Sequence, residues 1–291
     1  MILVTGATGK IGIELVRQLW ARGEPVRAFV RNRAHCKAIT LPGLDLVEGD
    51  FNKPQTVARG LVGVDRLFLL IPSSSEVEKL QRNFVDAAKR NNVRHIVNLS
   101  QLGADERAKG RFQRYHGAVE NYIRRSGIPF TFLRPNLFMQ SLLDFRSTIS
   151  SKGEFYGLAG DGKVSLVDVR DIAAVAVRAL TEPGHEGKTY DLTGPESLTH
   201  AEIAEQLSKA LGKHVEYVDV APEVMREALE SFGLPPWQAD GVIEDYEHYR
   251  RGEAARVTST VGDLTRTDPT SFFQFVQDYA GRFLGRAAGV S

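Results

Sequence analysis

The chain has 291 residues, of which 42% are hydrophobic and 25% charged, with a formal net charge of +1 at neutral pH. That balance is ordinary for a soluble globular protein and supplies no field that would draw nucleic acid or an anionic membrane surface. Cys36 is the one cysteine, which excludes an internal disulfide and a cysteine-based metal cluster. Met1 leads straight into an apolar strand pattern with no basic stretch and cleavage site, and no run approaches the ~20 apolar residues of a membrane span, so a reducing cytoplasm is the expected home.

Short apolar runs alternate with amphipathic helical patterns through the first half, the signature of βαβ units that build a parallel sheet. Strands are predicted over 2–5, 26–30, 44–47, 66–71, 95–99 and 130–133, and helices over 11–21, 54–60, 76–91 and 117–126. Several of the strands are unbroken apolar runs, as strands covered on both faces require. Gly23, Gly63 and Gly127 fall just past helical patterns, where a left-handed C-terminal residue is least costly as glycine. Ser73-Ser74-Ser75 reads as the cap of the helix that follows it.

From about Phe138 the spacing loosens. Strands are expected over 188–192 and 215–220, helices over 172–180, 199–211 and 222–232, and a last amphipathic helix over 272–283. Thr199 with Glu202 forms a capping-box pattern. Pro235-Pro236-Trp237 reads as a loop between two helical patterns, and 252–270 as a polar stretch. Asp168 and Asp171 precede a helix and suit a capping role.

The stretch Thr5-Gly6-Ala7-Thr8-Gly9-Lys10-Ile11-Gly12 follows the first strand and opens the first helix. In such a turn Gly6 permits the tight reversal, Gly9 lets backbone N–H groups approach a pyrophosphate, and Gly12 lets helix and sheet pack closely. The anion then meets the positive end of the helix. Gly6, Thr8, Gly9, Lys10 and Ile11 are therefore expected to bind a dinucleotide.

The end of the second strand selects the dinucleotide, because a carboxylate there bonds the ribose 2′-OH of NAD whereas an arginine pairs with the extra phosphate of NADP. Phe29-Val30-Arg31-Asn32-Arg33 offers no carboxylate, so Arg31 points to NADP(H), the alternative being that Arg31 and Arg33 are solvated loop charges. Asp50 and Phe51 follow the third strand beside the expected adenine, although Asp50 equally suits a helix cap. Leu70, Ile71 and Pro72 end the fourth strand and should border the nicotinamide. The expected architecture is α/β, a doubly wound parallel Rossmann sheet over 1–137 that binds NAD(P). Residues 138–291 should add sheet-completing elements and a smaller, mostly helical lobe for substrate or partner.

Together with Gly49-Asp50, Ser126-Gly127-Ile128-Pro129, Thr131-Phe132-Leu133-Arg134-Pro135-Asn136 and Val167-Asp168-Val169-Arg170-Asp171, these residues resemble the short-chain dehydrogenase/reductase superfamily, in particular its atypical NmrA-like branch. The resemblance implies the fold and the NADP(H) cofactor. It implies activity less directly, because the branch is similar both to quinone, dye and isoflavone-type reductases and to regulators that bind the dinucleotide without turning it over.

The superfamily's reductases carry a Tyr-x-x-x-Lys pair after the fifth strand, and this chain departs from it. Tyr115 is followed four residues on by Val119, and the alternative register pairs His116 with Glu120. Tyr115 and His116 remain candidate proton donors, and His116 and Glu120, one turn apart, could instead bond each other. Ser100 stands where the resemblance puts a serine that touches substrate and cofactor.

Asn136, Phe138 and Met139 follow the sixth strand and, with Trp237, are the expected substrate-side residues. Phe155, Tyr156 and Phe232 suit either a pocket roof or core. The scattered histidines show no metal spacing. Two readings result: an NADPH-dependent reductase of a quinone, or of a hydroxyaryl ketone-like aromatic carbonyl, and a non-catalytic NADP(H) sensor. A homodimer or a regulatory protein partner is compatible with either.

Overall fold

The computed structural model describes residues 1–285. In chain order the first elements are β1 (Ile2–Val4), α1 (Lys10–Ala21), β2 (Val26–Val30), β3 (Asp45–Glu48), α2 (Pro54–Gly60), β4 (Arg66–Leu69), α3 (Val77–Arg90), β5 (His95–Leu99), α4 (Arg111–Ser126) and β6 (Phe130–Pro135). There follow α5 (Arg146–Ser151), β7 (Glu154–Gly157), α6 (Val169–Thr181), β8 (Lys188–Leu192), α7 (His200–Leu211), β9 (Glu216–Asp219) and α8 (Pro222–Ser231). The last are α9 (Pro236–Arg250), α10 (Thr260–Thr265), α11 (Phe272–Asp278) and α12 (Ala280–Phe283). Among the described residues no helix is long and apolar enough to cross a membrane.

Two compact units emerge, one from Met1–Arg134 with Val169–Asp191, the other from Pro135–Asp168 with the described residues from Leu192. This differs from the single cut expected after residue 137. The reason is that α6 and β8 belong with the sheet: α6 packs along α1, and β8 adds the seventh strand.

In the first unit the strand order is β3-β2-β1-β4-β5-β6-β8. Every pairing from β3 to β6 is parallel, for example Val4↔Ala28, Val4↔Phe68 and Leu69↔Asn98. Backbone bonds from Gly187 to Phe130 and from Asn136 to Leu192 mark the two ends of the last pairing. The central strands β1 and β5 are wholly buried, whereas the edge strand β3 is half exposed and carries Asp45 in an ion pair with Arg27. Along α1 the buried residues Ile11, Leu15 and Leu19 recur every four positions, the stripe that a helix lays on a sheet. On α3 pack α2 and α4. Strand order reverses between β1 and β4, and the crevice beyond their carboxyl ends is where a doubly wound sheet takes ligands.

α4 begins at Arg111, six residues before the expected start at Gly117. Gly117 is a contact residue rather than a start signal, because a Cβ there would lie 2.3 Å from the backbone of Asp105 and Glu106. α3 starts at Val77 with Glu76 as N-cap and no side-chain cap, so the three serines do not cap it.

The second unit is built on a core that includes Met139, Leu142, Phe155, Val164, Ile203, Leu207, Phe272 and Phe275. The strand expected over 215–220 forms as β9 but does not join the large sheet; it pairs in parallel with β7, which the pattern did not reveal. The capping box at α7 is present, with the Thr199 side chain bonded to the Glu202 N–H and the Glu202 carboxylate to the Thr199 N–H. Pro236 opens α9, so Trp237 lies in a first helical turn rather than a loop, the N-terminal position proline favours. The polar stretch contains α10, and the last expected helix divides into α11 and α12 at Tyr279.

Candidate functional site

The β1–α1 turn is shaped by its three glycines in different ways. Gly6 has φ +62° and lies beneath Leu70, whose Cγ would be 2.8 Å from an added Cβ. Gly12 is pressed against the turn itself, since its Cβ would come within 2.1 Å of the Gly6 carbonyl oxygen. Gly9 is neither: it has an ordinary extended conformation, φ −83° and ψ 173°, and an added Cβ would find only the Gly6 oxygen at 3.3 Å. A side chain at Gly9 would therefore ask the Gly6 carbonyl to give by a few tenths of an ångström and would otherwise enter the open space before α1. Thr8, Gly9 and Lys10 are exposed there.

The first intrahelical bond runs from the Ile13 N–H to the Gly9 carbonyl, so the N–H groups ahead of it are those an α-helix leaves for a ligand. No acidic side chain stands in that first turn. Ile11 contributes only backbone, because its side chain is in the core. Thr5 knits β1 to β4, its hydroxyl accepting the Leu70 N–H at 2.7 Å and lying 3.1 Å from the Phe68 carbonyl oxygen.

At the end of β2 the two arginines separate. Arg33 donates to the Leu46 carbonyl and is spent on the fold. Arg31 is exposed and, among the described residues, makes no hydrogen bond. Its guanidinium acts on Asp50 through charge, adding to the Asn52 N–H bond that chiefly holds the Asp50 carboxyl below its ordinary range. Asp50 thus closes a short turn over Asn52. Phe51 stacks on Phe29 with centroids 5.4 Å apart, and the Phe29 ring occupies a slot left by Gly49 and Gly60, where a Cβ would meet it at 2.4 and 2.9 Å.

Beyond β4 and β5, Leu70 is half-buried, Ile71 buried and Pro72 exposed. Ser73 Oγ lies 2.9 Å from Tyr115 Oη, a contact that sequence reasoning missed because the two residues are 42 apart in the chain. Ser100 donates to Glu120 Oε1 at 2.6 Å. Glu120, fully buried, also accepts Arg134 Nε at 2.8 Å and Nη2 at 2.6 Å, and Arg124 Nη2 at 3.1 Å.

His116 and Glu120 are therefore not each other's partners, since the carboxylate is taken by cations and a hydroxyl. Burial first, and Arg134 second, depress the His116 pKa to about 3, so at neutral pH it has no imidazolium proton to give. Its ring lies against Tyr115 with centroids 4.1 Å apart. Ser100, its proton committed to Glu120, can offer only lone pairs.

The second unit holds the residues expected on the substrate side. Asn136 is buried, its amide donating to Ser165 Oγ and the Ala254 carbonyl at 2.8 Å each while its oxygen accepts the Leu137 N–H, which makes it a structural hub. Met139 is fully buried in the core, as is Phe155. Phe138 and Trp237 are half-buried, Tyr156 flanks a smaller core with Met225 and Ile243, and Phe232 is 82% exposed. Asp168 accepts Gln140 Nε2 at 2.8 Å.

The chain is 38% identical over 283 residues to the NAD(P)H azoreductase of Xenophilus azovorans, covering 97% of this chain and 99% of that protein. Its backbone is similar to the NADPH-dependent quinone oxidoreductase QOR2 of Escherichia coli solved with NADPH, with a TM-score of 0.86 and 30% identity over 96% of this chain and 99% of the other. It is similar also to the Citrobacter sp. triphenylmethane reductase solved with NADP(H), at a TM-score of 0.84 and 29% identity over 96% and 99%. Residues 1–256 match the NmrA-like family, and with a glycine turn, a switch point and an arginine-ended second strand in place the chain belongs to that family.

Proposed function

We propose that this chain is an NADPH-dependent reductase of quinone-like small molecules, with azo and triphenylmethane dyes and hydroxyaryl ketones as related acceptors. The observation that carries the reading is Gly9, a residue in ordinary extended conformation whose missing side chain keeps the mouth of α1 open. The residues present fit a dinucleotide. The N–H groups at the start of α1 suit the pyrophosphate. Arg31 suits a 2′-phosphate, with Lys10 exposed in the neighbouring turn.

Bound NADPH supplies a hydride, which is the cofactor's own chemistry. The protein's part is orientation and protons. Tyr115 holds a proton at Oη beside Ser73, while His116 stays neutral and supports the phenol ring. Ser100, fixed by Glu120, presents lone pairs that suit an amide N–H donor. Acceptors such as quinones give a stabilised anion on receiving hydride and need less help from a protein acid, which suits a site whose tyrosine has Val119 where the superfamily has lysine. The reducing cytoplasm suits the single thiol, Cys36, which is free and buried.

Calorimetric titration tests the cofactor assignment. Charge-assisted bonds contribute about 1.5–3 kcal/mol, so Arg31→Ala is expected to weaken NADPH by roughly tenfold or more and leave NADH nearly unchanged. Equal loss for both dinucleotides would remove the 2′-phosphate assignment.

A further inference from the structure

Two serines stand beyond the carboxyl ends of β4 and β5, and they are committed differently. Ser100 gives its only proton to Glu120, itself locked by Arg134. The hydroxyl that meets the Tyr115 phenol is that of Ser73, 2.9 Å away, on the segment that leads into α3. The phenol ring is buried and held by the edge of Phe112 at 6.2 Å and by the His116 ring at 4.1 Å. These contacts help fix where the Tyr115 oxygen sits, and Ser73 touches the oxygen itself.

We propose that Ser73 is a positioning residue for reduction, holding the Tyr115 phenol in register and stabilising its oxygen as the proton leaves. This rests on the reductase reading above. In the step, the Tyr115 O–H bond breaks and a new O–H or N–H bond forms on the acceptor that has received the hydride from NADPH. The acceptor is reduced by that hydride, and tyrosine changes only in protonation. Ser73 then donates its hydroxyl hydrogen bond to the phenolate, and a proton from water restores the phenol.

A neutral hydroxyl stabilises a phenolate by one ordinary hydrogen bond, far less than a positioned cation. The cost of losing it is therefore roughly five- to tenfold in rate, not the ~10²–10⁴ of a strong general acid.

The test uses full-length protein with NADPH and a quinone, comparing Ser73→Ala, Ser73→Thr, Tyr115→Phe and the Ser73→Ala/Tyr115→Phe double variant. Ser73→Ala is expected to lower kcat by about five- to tenfold with KM within about twofold, Ser73→Thr to restore it, and the double variant to lose no more than Tyr115→Phe alone. In parallel, NMR of protein carrying tyrosine labelled at the ring carbon bonded to oxygen follows the Tyr115 signal, assigned by its loss in Tyr115→Phe. The signal shifts in Ser73→Ala and returns in Ser73→Thr. Independent, multiplying losses in the double variant, or an unmoved Tyr115 signal in folded Ser73→Ala, would overturn the proposal. A wild-type protein that shows the NMR response but no NADPH turnover would overturn the reductase reading instead, and with it the catalytic use of the pair.

Discussion

In the first unit a formal negative charge is buried without exposure, Glu120, held by two nitrogens of Arg134, one of Arg124 and the hydroxyl of Ser100. In the second unit a buried carboxylate, Asp168, accepts Gln140 Nε2, and a separate cluster of rings is kept neutral: His200 lies 5.0 Å from Tyr217, 5.7 Å from Tyr246 and 6.2 Å from Phe155, centroid to centroid. Burial pushes Tyr246 up to about 12 and His200 down to about 4, so both stay uncharged at neutral pH. The difference teaches where this protein accepts the desolvation of an ion. It does so at Glu120, where β5, α4 and β6 are held together behind the candidate site, and at Asp168, whereas around His200 the second unit fills its space with rings.

The largest effect expected from that contrast is on stability. Breaking a buried ion pair by removing one partner is destabilising by about 3–5 kcal/mol, and because the Arg134 side chain is 21% exposed the lower end applies. Glu120→Gln is therefore expected to lower the unfolding free energy by about 3 kcal/mol in urea titrations, and Glu120→Leu with Arg134→Met to recover most of it. A loss below about 1 kcal/mol would mean that the carboxylate is not the brace described here.

A smaller effect separates the units by pH. His95 and His116 in the first unit and His200 in the second are held near 4, 3 and 4, chiefly by burial. Below about 6.5 the unfolded chain binds protons that these folded histidines refuse, so stability is whole above that pH and falls as acid approaches the folded values. Near pH 5 each contributes a loss of about 2 kcal/mol. His200→Phe keeps a ring in the aromatic stack and removes one titration, so its stability should fall less steeply between pH 7 and pH 5, by about 2 kcal/mol. An unchanged slope would show that His200 is not held neutral by its surroundings.

What the sequence disclosed and what it withheld follow from distance along the chain. The strands at 26–30 and 95–99 and the helix at 54–60 have the bounds expected, because short β-rich runs, and a helix opened by Pro54 and ended at Gly60, are local signals. The glycine turn was legible for the same reason. Strand β7, by contrast, is four residues long and starts on Glu154, and its partner β9 starts on Glu216, so neither offered a hydrophobic period to distinguish a separate sheet. α9 is barely amphipathic and has buried residues on more than one side, which left Trp237 looking like a loop residue.

The partners of Ser100, Glu120 and Arg134 lie 14 and 20 residues apart, and no spacing rule links a strand end to a helix face. A rule about carboxyl ends of strands placed Ile71 and Pro72 near the site. Extended by one residue, it would have included Ser73.

In the function proposed above, the open mouth of α1 receives NADPH for the reduction of a quinone. This is tested most directly by NADPH oxidation with a quinone, comparing wild type with Gly9→Val, whose extended backbone suits valine and whose side chain fills the space before the helix. The prediction is steady turnover in wild type and a loss of about a hundredfold or more in a Gly9→Val protein that a urea titration shows still to be folded. Turnover in folded Gly9→Val equal to wild type, or none in wild type with any quinone, would contradict it.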